Sequence, residues 1–193
     1  MAIQEAFVRL FIECGYADIK VRELVMVAGV GLGTFYEYFG SVEELARVWV
    51  HFRCKELISA AEQRLAACTG APLAVIVDAI LDSDIEVHQS AQEHWAVLYV
   101  LERQLSSKEA YGKMLERYTS FWARAFESAC DWPPDLSPRT AAMVVHAIAY
   151  GLISQSFMSG NLPIDTKALR EQVGMAVHNY LRQFMAEANA TRE

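Results

Sequence analysis

The sequence predicts an all-α chain: a three-helix N-terminal head containing a helix-turn-helix, followed by a larger helical body, about nine helices together. Three observations carry this prediction. Apolar residues recur at helical spacing along almost all of the 193 residues, and no segment alternates as a half-buried strand does. Serine, aspartate, glycine and proline stand where such segments would begin and end. Two short amphipathic segments are followed by a glycine turn and by Val30-Gly31-Leu32-Gly33-Thr34-Phe35-Tyr36-Glu37-Tyr38-Phe39, the layout of a recognition helix.

Taken in order, the first helix places Ile3, Phe7, Leu10, Phe11 and Cys14 on one stripe and stops at Gly15, a residue suited to a left-handed helix end. The second carries Val21, Leu24, Val25 and Ala28; Gly29 then supplies the turn, Val30 plugs the core, and Phe35 and Phe39 face inward from the third. Ser41 caps a long fourth helix with Glu43 and Glu44 in its first turn, running through Trp49 and Leu57 to about Cys68. Pro72 opens the fifth, which continues to about Ser90. Trp95, Leu98, Tyr99 and Leu101 mark the sixth; the Ser106-Ser107 cap precedes the seventh, with Leu115, Tyr118, Phe121, Trp122 and Phe126. Trp132-Pro133-Pro134 breaks the chain. Ser137-Pro138 opens the eighth helix, Gly160 to Pro163 ends it, and Asp165 or Thr166 starts the last.

A chain of this length buries roughly 70% of its unfolded surface and needs no covalent staples. Cys14, Cys54, Cys68 and Cys130 are scattered, which argues against a zinc site or a disulfide framework and for a reducing cytoplasm. No apolar run approaching 18 residues is expected, and Met1-Ala2-Ile3-Gln4-Glu5 lacks the basic region of a signal peptide, so the expected location is cytoplasmic with no membrane partner. The net charge of −7 offers no bulk attraction to nucleic acid. Any DNA binding must come from a local patch.

Residues 3–49 resemble the N-terminal domain of TetR-type (tetracycline-repressor-like) transcriptional regulators. The likeness rests on Leu10-Phe11, Gly15-Tyr16, Val21, Leu24, Ala28-Gly29-Val30, Gly33-Thr34-Phe35-Tyr36, Tyr38-Phe39 and Leu45. It implies a helix-turn-helix from Val21 to Gly40, a DNA-binding domain over 1–45, and a ligand-binding and dimerisation domain over 46–193. It also implies a homodimer on a palindromic double-stranded operator, with recognition helices roughly 34–36 Å apart, released by a small-molecule effector. The implied DNA-binding residues are Lys20, Arg22, Gly31, Leu32, Thr34, Tyr36 and Tyr38. Among them, Tyr36 can offer its phenol to a phosphate, and Thr34 a hydroxyl and a methyl to a phosphate or a thymine edge. The chain departs from the family pattern at Lys20 and Gly31, where Ser or Thr is usual, and at Val42, where Lys is usual. The basic arm that often precedes the first helix in the family is missing from these residues. Within residues 1–45, Arg9, Lys20 and Arg22 face Glu5, Glu13, Asp18, Glu23, Glu37, Glu43 and Glu44, a net of −4. Phosphate neutralisation supplies most non-specific affinity, so weak or salt-sensitive DNA binding is expected.

The other motifs are weighed on their residues. Gly29-Val30-Gly31-Leu32-Gly33 follows a helix and lacks a P-loop lysine, so it is not a nucleotide loop. His94, Trp95, Tyr99, Met114, Tyr118, Phe121, Trp122, His146 and Tyr150 fall on helices six to eight. They read either as packed core or as a mostly apolar pocket with a few polar groups, the usual makeup of a small-molecule site. Asp78, Asp82 and Glu86 recur at i, i+4, i+8 near His88 and His94; a solvated acidic face is the better reading, and no metal is expected. Val144, Ala147, Ile148 and Gly151 of helix eight, with Val173, Val177 and Tyr180 of helix nine, read as a four-helix dimer interface. No nucleophile, base and orienting group cluster together, so neither catalysis nor a cofactor is expected.

The expected function is a ligand-responsive regulator, a repressor whose apolar or aromatic effector changes the spacing of the recognition helices. Helix four would transmit the change through Trp49 and Phe52. The rival expectation is a small-molecule- or partner-binding helical dimer with a degenerate head.

Overall fold

The computed structural model describes residues 2–190. Nine α-helices and no strand occur among the described residues: α1 Ala2–Cys14, α2 Val21–Ala28, α3 Leu32–Tyr38, α4 Val42–Cys68, α5 Leu73–Gln89, α6 Gln92–Leu105, α7 Lys108–Glu127, α8 Arg139–Met158 and α9 Thr166–Ala190. A short 3-10 turn, Tyr16–Asp18, links α1 to α2.

The head closes around Phe7, Leu10, Leu24, Phe35 and Leu45, all buried. Truncating an aromatic such as Phe35, which has no exposed surface, costs about 3–5 kcal/mol. Its turns are set by glycine: Gly15 and Gly29 hold φ of 79° and 67°, where a Cβ would strain the chain. The Val30 N–H then closes the turn on the Val25 carbonyl at 3.0 Å. The start of α4 is a reciprocal cap. Ser41 Oγ accepts from the Glu44 N–H at 3.1 Å, while Glu44 Oε2 accepts from the Gly40 N–H at 2.8 Å. Ser107 caps α7 by accepting from the Ala110 N–H, and Asp165 Oδ1 caps α9 by accepting from the Ala168 N–H.

α4 is 27 residues long and belongs to both parts of the molecule. Leu45, Ala46 and Trp49 complete the head, while Ile58 and Ala61 are buried in the body. The body packs α4 on α5, α7 on α8, and α8 between α6 and α9. Its core holds Ile76, Leu81, Trp95, Phe121, Phe126 and Phe157. Trp132 stacks on Phe126 at 5.2 Å and donates to the Leu136 carbonyl, so the Trp132-Pro133-Pro134 break is itself packed.

Three expectations need correcting and one refining. Val173 and Val177 have no exposed surface and fill the protomer's own core, so they cannot form a dimer interface. The outward face instead carries Met143 and Leu152 on α8 and Met175 on α9, with Ala147 exposed and Val144, Ile148, Gly151 and Tyr180 half-buried. Period alone placed an apolar stripe on α9 without saying which neighbour it meets. Phe52 is 62% exposed and joins nothing.

The third point refines the acidic stripe of α5, which is solvated as expected, its side chains about half exposed, but is also ion-paired. Arg170 of α9 donates to Asp78 and Asp82 at 2.8 and 2.6 Å, His178 lies 2.9 Å from Asp78, and Arg64 pairs with Glu86. The pairs to α9 bridge positions 88 to 100 residues apart, and Arg64 and Glu86 are 22 apart, which helical spacing cannot foresee. Fourth, α8 is long and apolar enough to cross a membrane by length and composition, with a mean hydropathy of 1.4 over its most apolar stretch. Its Ala141, Ala142, Val145, Ala149, Ile153 and Phe157 are buried against the other helices, as a core helix requires.

Candidate functional site

The head presents one side of α3 to solvent. Phe35, fully buried, and Phe39, 5.7 Å away, anchor the helix from beneath. Leu32, Tyr36 and Tyr38 are 42%, 55% and 70% exposed, and Gly31 and Thr34 are exposed beside them. Lys20 and Arg22, also exposed, stand at the start of α2. The seven head residues named from the sequence therefore all reach solvent. Neither Lys20 nor Gly31 supplies a side-chain cap to its helix. A Cβ at Gly31 would meet only Thr34 Oγ1, at an ordinary 3.6 Å, so serine fits there. Val42 is half-buried against the head core, and Arg9 is held by Glu13 at 2.8 Å. Few cations remain for a polyanion.

In the body, Trp95, Tyr99, Met114, Tyr118, Phe121, Trp122, His146 and Tyr150 line one inner cavity of about 50 Å³. It shares Cys54, Glu102, Met114 and Tyr118 with an outer cavity of about 360 Å³. Together they reach the size of ordinary small-molecule sites. His94, the ninth residue of the expected set, stands apart. Its ring meets Trp49 at 6.1 Å and its Nε2 lies 3.4 Å from Glu5, so it belongs to the seam between head and body. It is the immediate neighbour of Trp95, but one step along a helix turns it to another face.

Several groups here were not singled out from the sequence. Glu102 is 3% exposed; its Oε2 accepts from the Tyr150 hydroxyl at 2.8 Å and its Oε1 has no partner. Burial raises its pKa, against the opposing effect of that hydrogen bond. Asp84 also borders the cavity, and its buried Oδ1 makes no hydrogen bond: His88 Nδ1, 3.3 Å away, directs its proton to the Asp84 main-chain carbonyl at 2.7 Å. His88, fully buried, stacks parallel to Tyr99 and meets its hydroxyl at 2.6 Å. Helical spacing could have found both carboxylates. Glu102 follows Trp95, Leu98 and Tyr99 on one stripe, and Asp84 follows Val77, Ile80 and Leu81 likewise.

Burial tunes the remaining groups toward their neutral forms. His146, stacked on Tyr118 at 4.9 Å, is lowered to about 4 by desolvation, and the Cys54 thiol is pushed up to about 12 by the same cause. Cys54 is therefore an inert wall residue. Among the described residues, no arginine or lysine lines the inner cavity.

Two helices connect cavity and head. α4 supplies Trp49 to the head, 6.0 Å from Phe7, and Cys54, Leu57, Ile58 and Ala61 to the cavity wall. α6 packs on α1 and supplies Trp95, Leu98, Tyr99 and Glu102. Between them Arg53 of α4 lies over the Trp95 ring at 4.7 Å.

Comparison with known proteins agrees with this architecture. Residues 3–48 match the family model of bacterial regulatory proteins, tetR family. No curated protein sequence matches the chain. Among solved structures, a TetR-like transcriptional regulator from Rhodococcus sp. RHA1 superposes with a TM-score of 0.68 at 16% identity, covering 94% of each chain. A putative TetR-family regulator from Mesorhizobium loti MAFF303099 gives 0.69 at 18% identity, again over 94% of each. FadR from Bacillus subtilis, solved in complex with stearoyl-CoA, gives 0.64 at 17% identity, over 92% of this chain and 96% of that one. At such identities the structures show the fold, and residues 3–48, the head, match the family model of bacterial regulatory proteins, tetR family.

Proposed function

We propose that this protein is a ligand-responsive transcriptional regulator, a cytoplasmic homodimeric repressor that releases a palindromic operator when an effector occupies the cavity of the body. The observation that carries this reading is α4, one uninterrupted helix that completes the head core at Leu45 and Trp49 and walls the cavity at Cys54, Leu57 and Ile58. An effector that displaces this wall also displaces the head. It shifts the equilibrium only by the difference in its affinity for the two head spacings. The exposed faces of α8 and α9 would pair about a twofold axis and set that spacing.

The acidic head supports a second reading, a ligand-binding dimer whose head no longer holds DNA. Fluorescence anisotropy against DNA from the protein's own upstream region, scanned from low to physiological salt, decides between them. A saturable shift that survives competitor DNA and reverses with a cavity ligand supports the repressor. Binding that vanishes with salt and competitor overturns it in favour of the second reading.

A further inference from the structure

We propose that the effector carries a cationic nitrogen, a protonated amine or quaternary ammonium, on an apolar body, and that Glu102 is the residue that reads it. The inference rests on the reading above only in taking the cavity as the effector site.

Glu102 lies on the wall common to the inner and outer cavities, so a molecule spanning them passes its carboxyl group. The side chain is almost wholly buried, yet Oε1 has no hydrogen-bond partner. A second carboxylate oxygen without a hydrogen bond, Asp84 Oδ1, belongs to another residue of the inner wall. Buried acceptors are normally satisfied, and two left open at one cavity mark the place of a donor that the protein does not supply. The same wall carries Tyr99, Tyr118 and Tyr150, and aromatic rings attract a cation. A neutral hydrocarbon would leave both oxygens dry and unpaired, and an anion would meet them as a like charge.

The outer cavity has the opposite character, with Arg47, His51, Lys113 and Arg117 on its walls. Two of these are already engaged, Arg47 by Glu43 and Lys113 by Glu109. This ring disfavours a second positive charge on the effector, which points to a monocation with its charge at Glu102 and an uncharged remainder outside. The same ring makes an anionic amphiphile the rival occupant.

Three probes separate the cases: benzyltrimethylammonium, its uncharged carbon isostere neopentylbenzene, and palmitoyl-CoA as the anion. Binding is read by calorimetry and by the fluorescence of Trp95 and Trp122 in the full chain, with Glu102→Gln as the variant. Glutamine keeps the shape and an acceptor for Tyr150, and a thermal melt confirms that the variant folds. The expected result is at least about tenfold preference for the ammonium over its isostere, abolished in Glu102→Gln. Equal binding of the isostere, a preference untouched by Glu102→Gln, tighter binding of palmitoyl-CoA, or no ammonium binding up to about 10 mM would each overturn the proposal. Repeating the titration with operator DNA keeps the two readings distinct. Charge-selective binding without any change in DNA affinity would sink the regulator and leave the cation site standing.

Discussion

The Tyr150 hydroxyl on α8 donates to Glu102 Oε2 on α6 at 2.8 Å, and it is the one hydrogen bond holding a carboxyl group that is 3% exposed. Tyr150→Phe would keep the ring against Tyr99, 5.8 Å away, and leave both carboxyl oxygens unpartnered. A buried acceptor stripped of its donor costs about 1–3 kcal/mol. Urea unfolding should show that loss with an unchanged slope. No loss would mean that water already serves Glu102.

On the head, Tyr36→Phe removes a hydroxyl and preserves the ring's edge contact with buried Phe35 at 5.3 Å. Folding should be unaffected, while DNA binding weakens by about 1 kcal/mol on every sequence, as loss of a phosphate contact requires. Val42→Lys should act in the other direction. An added cation at the start of α4 should tighten binding and steepen its logarithmic salt dependence by about 1. Val42 packs against the head core, so a modest stability loss is expected as well. Operator affinity indifferent to both substitutions would show that this face does not meet phosphate.

The two sides of α8 and α9 should respond oppositely to charge. Ala147→Glu places a carboxylate on the exposed face, where it should split the dimer and leave helicity intact. Val177→Glu places it in the protomer core, where it should unfold the chain by more than about 3 kcal/mol. Sedimentation and circular dichroism distinguish the outcomes. A dimer that survives Ala147→Glu would move the interface elsewhere.

The features legible in the sequence are those with local causes. Gly29 announces its left-handed turn, and Ser41 and Ser107 their caps, because each depends on residues within one or two helical turns. What escaped depends on partners far along the chain. Asp78 looks unpaired until Arg170 and His178 arrive from α9, and Val173 looks like an interface until α5 and α8 cover it. Gly174 belongs with these: a Cβ there would strike the Arg170 guanidinium, so a glycine that reads as a helix-packing residue clears the path of an ion pair. Glu102 differs from these: it is a charged residue, yet its spacing from Trp95, Leu98 and Tyr99 puts it on the buried stripe of α6.

His146 gives the cavity a pH dependence whose sign follows from burial. Its pKa is lowered to about 4, against an ordinary imidazole value of 6.5. Above pH 6.5 the ring is neutral folded or unfolded, and stability owes nothing to its titration. Between pH 6.5 and 4 the unfolded chain takes up the proton that the folded ring resists. The unfolded state then binds more protons, so stability falls with pH, by about 3 kcal/mol at pH 4. Glu102 works against this trend: its raised pKa makes the folded state the better proton acceptor and favours folding as pH falls. The two are separated by His146→Phe, which keeps a ring for the near-parallel stack on Tyr118 and removes the proton site. Urea unfolding of both proteins at pH 7 and pH 4 should show the wild type losing about 3 kcal/mol more than the variant. Parallel losses in the two would mean that water reaches His146 in the folded state, and with it the inner cavity.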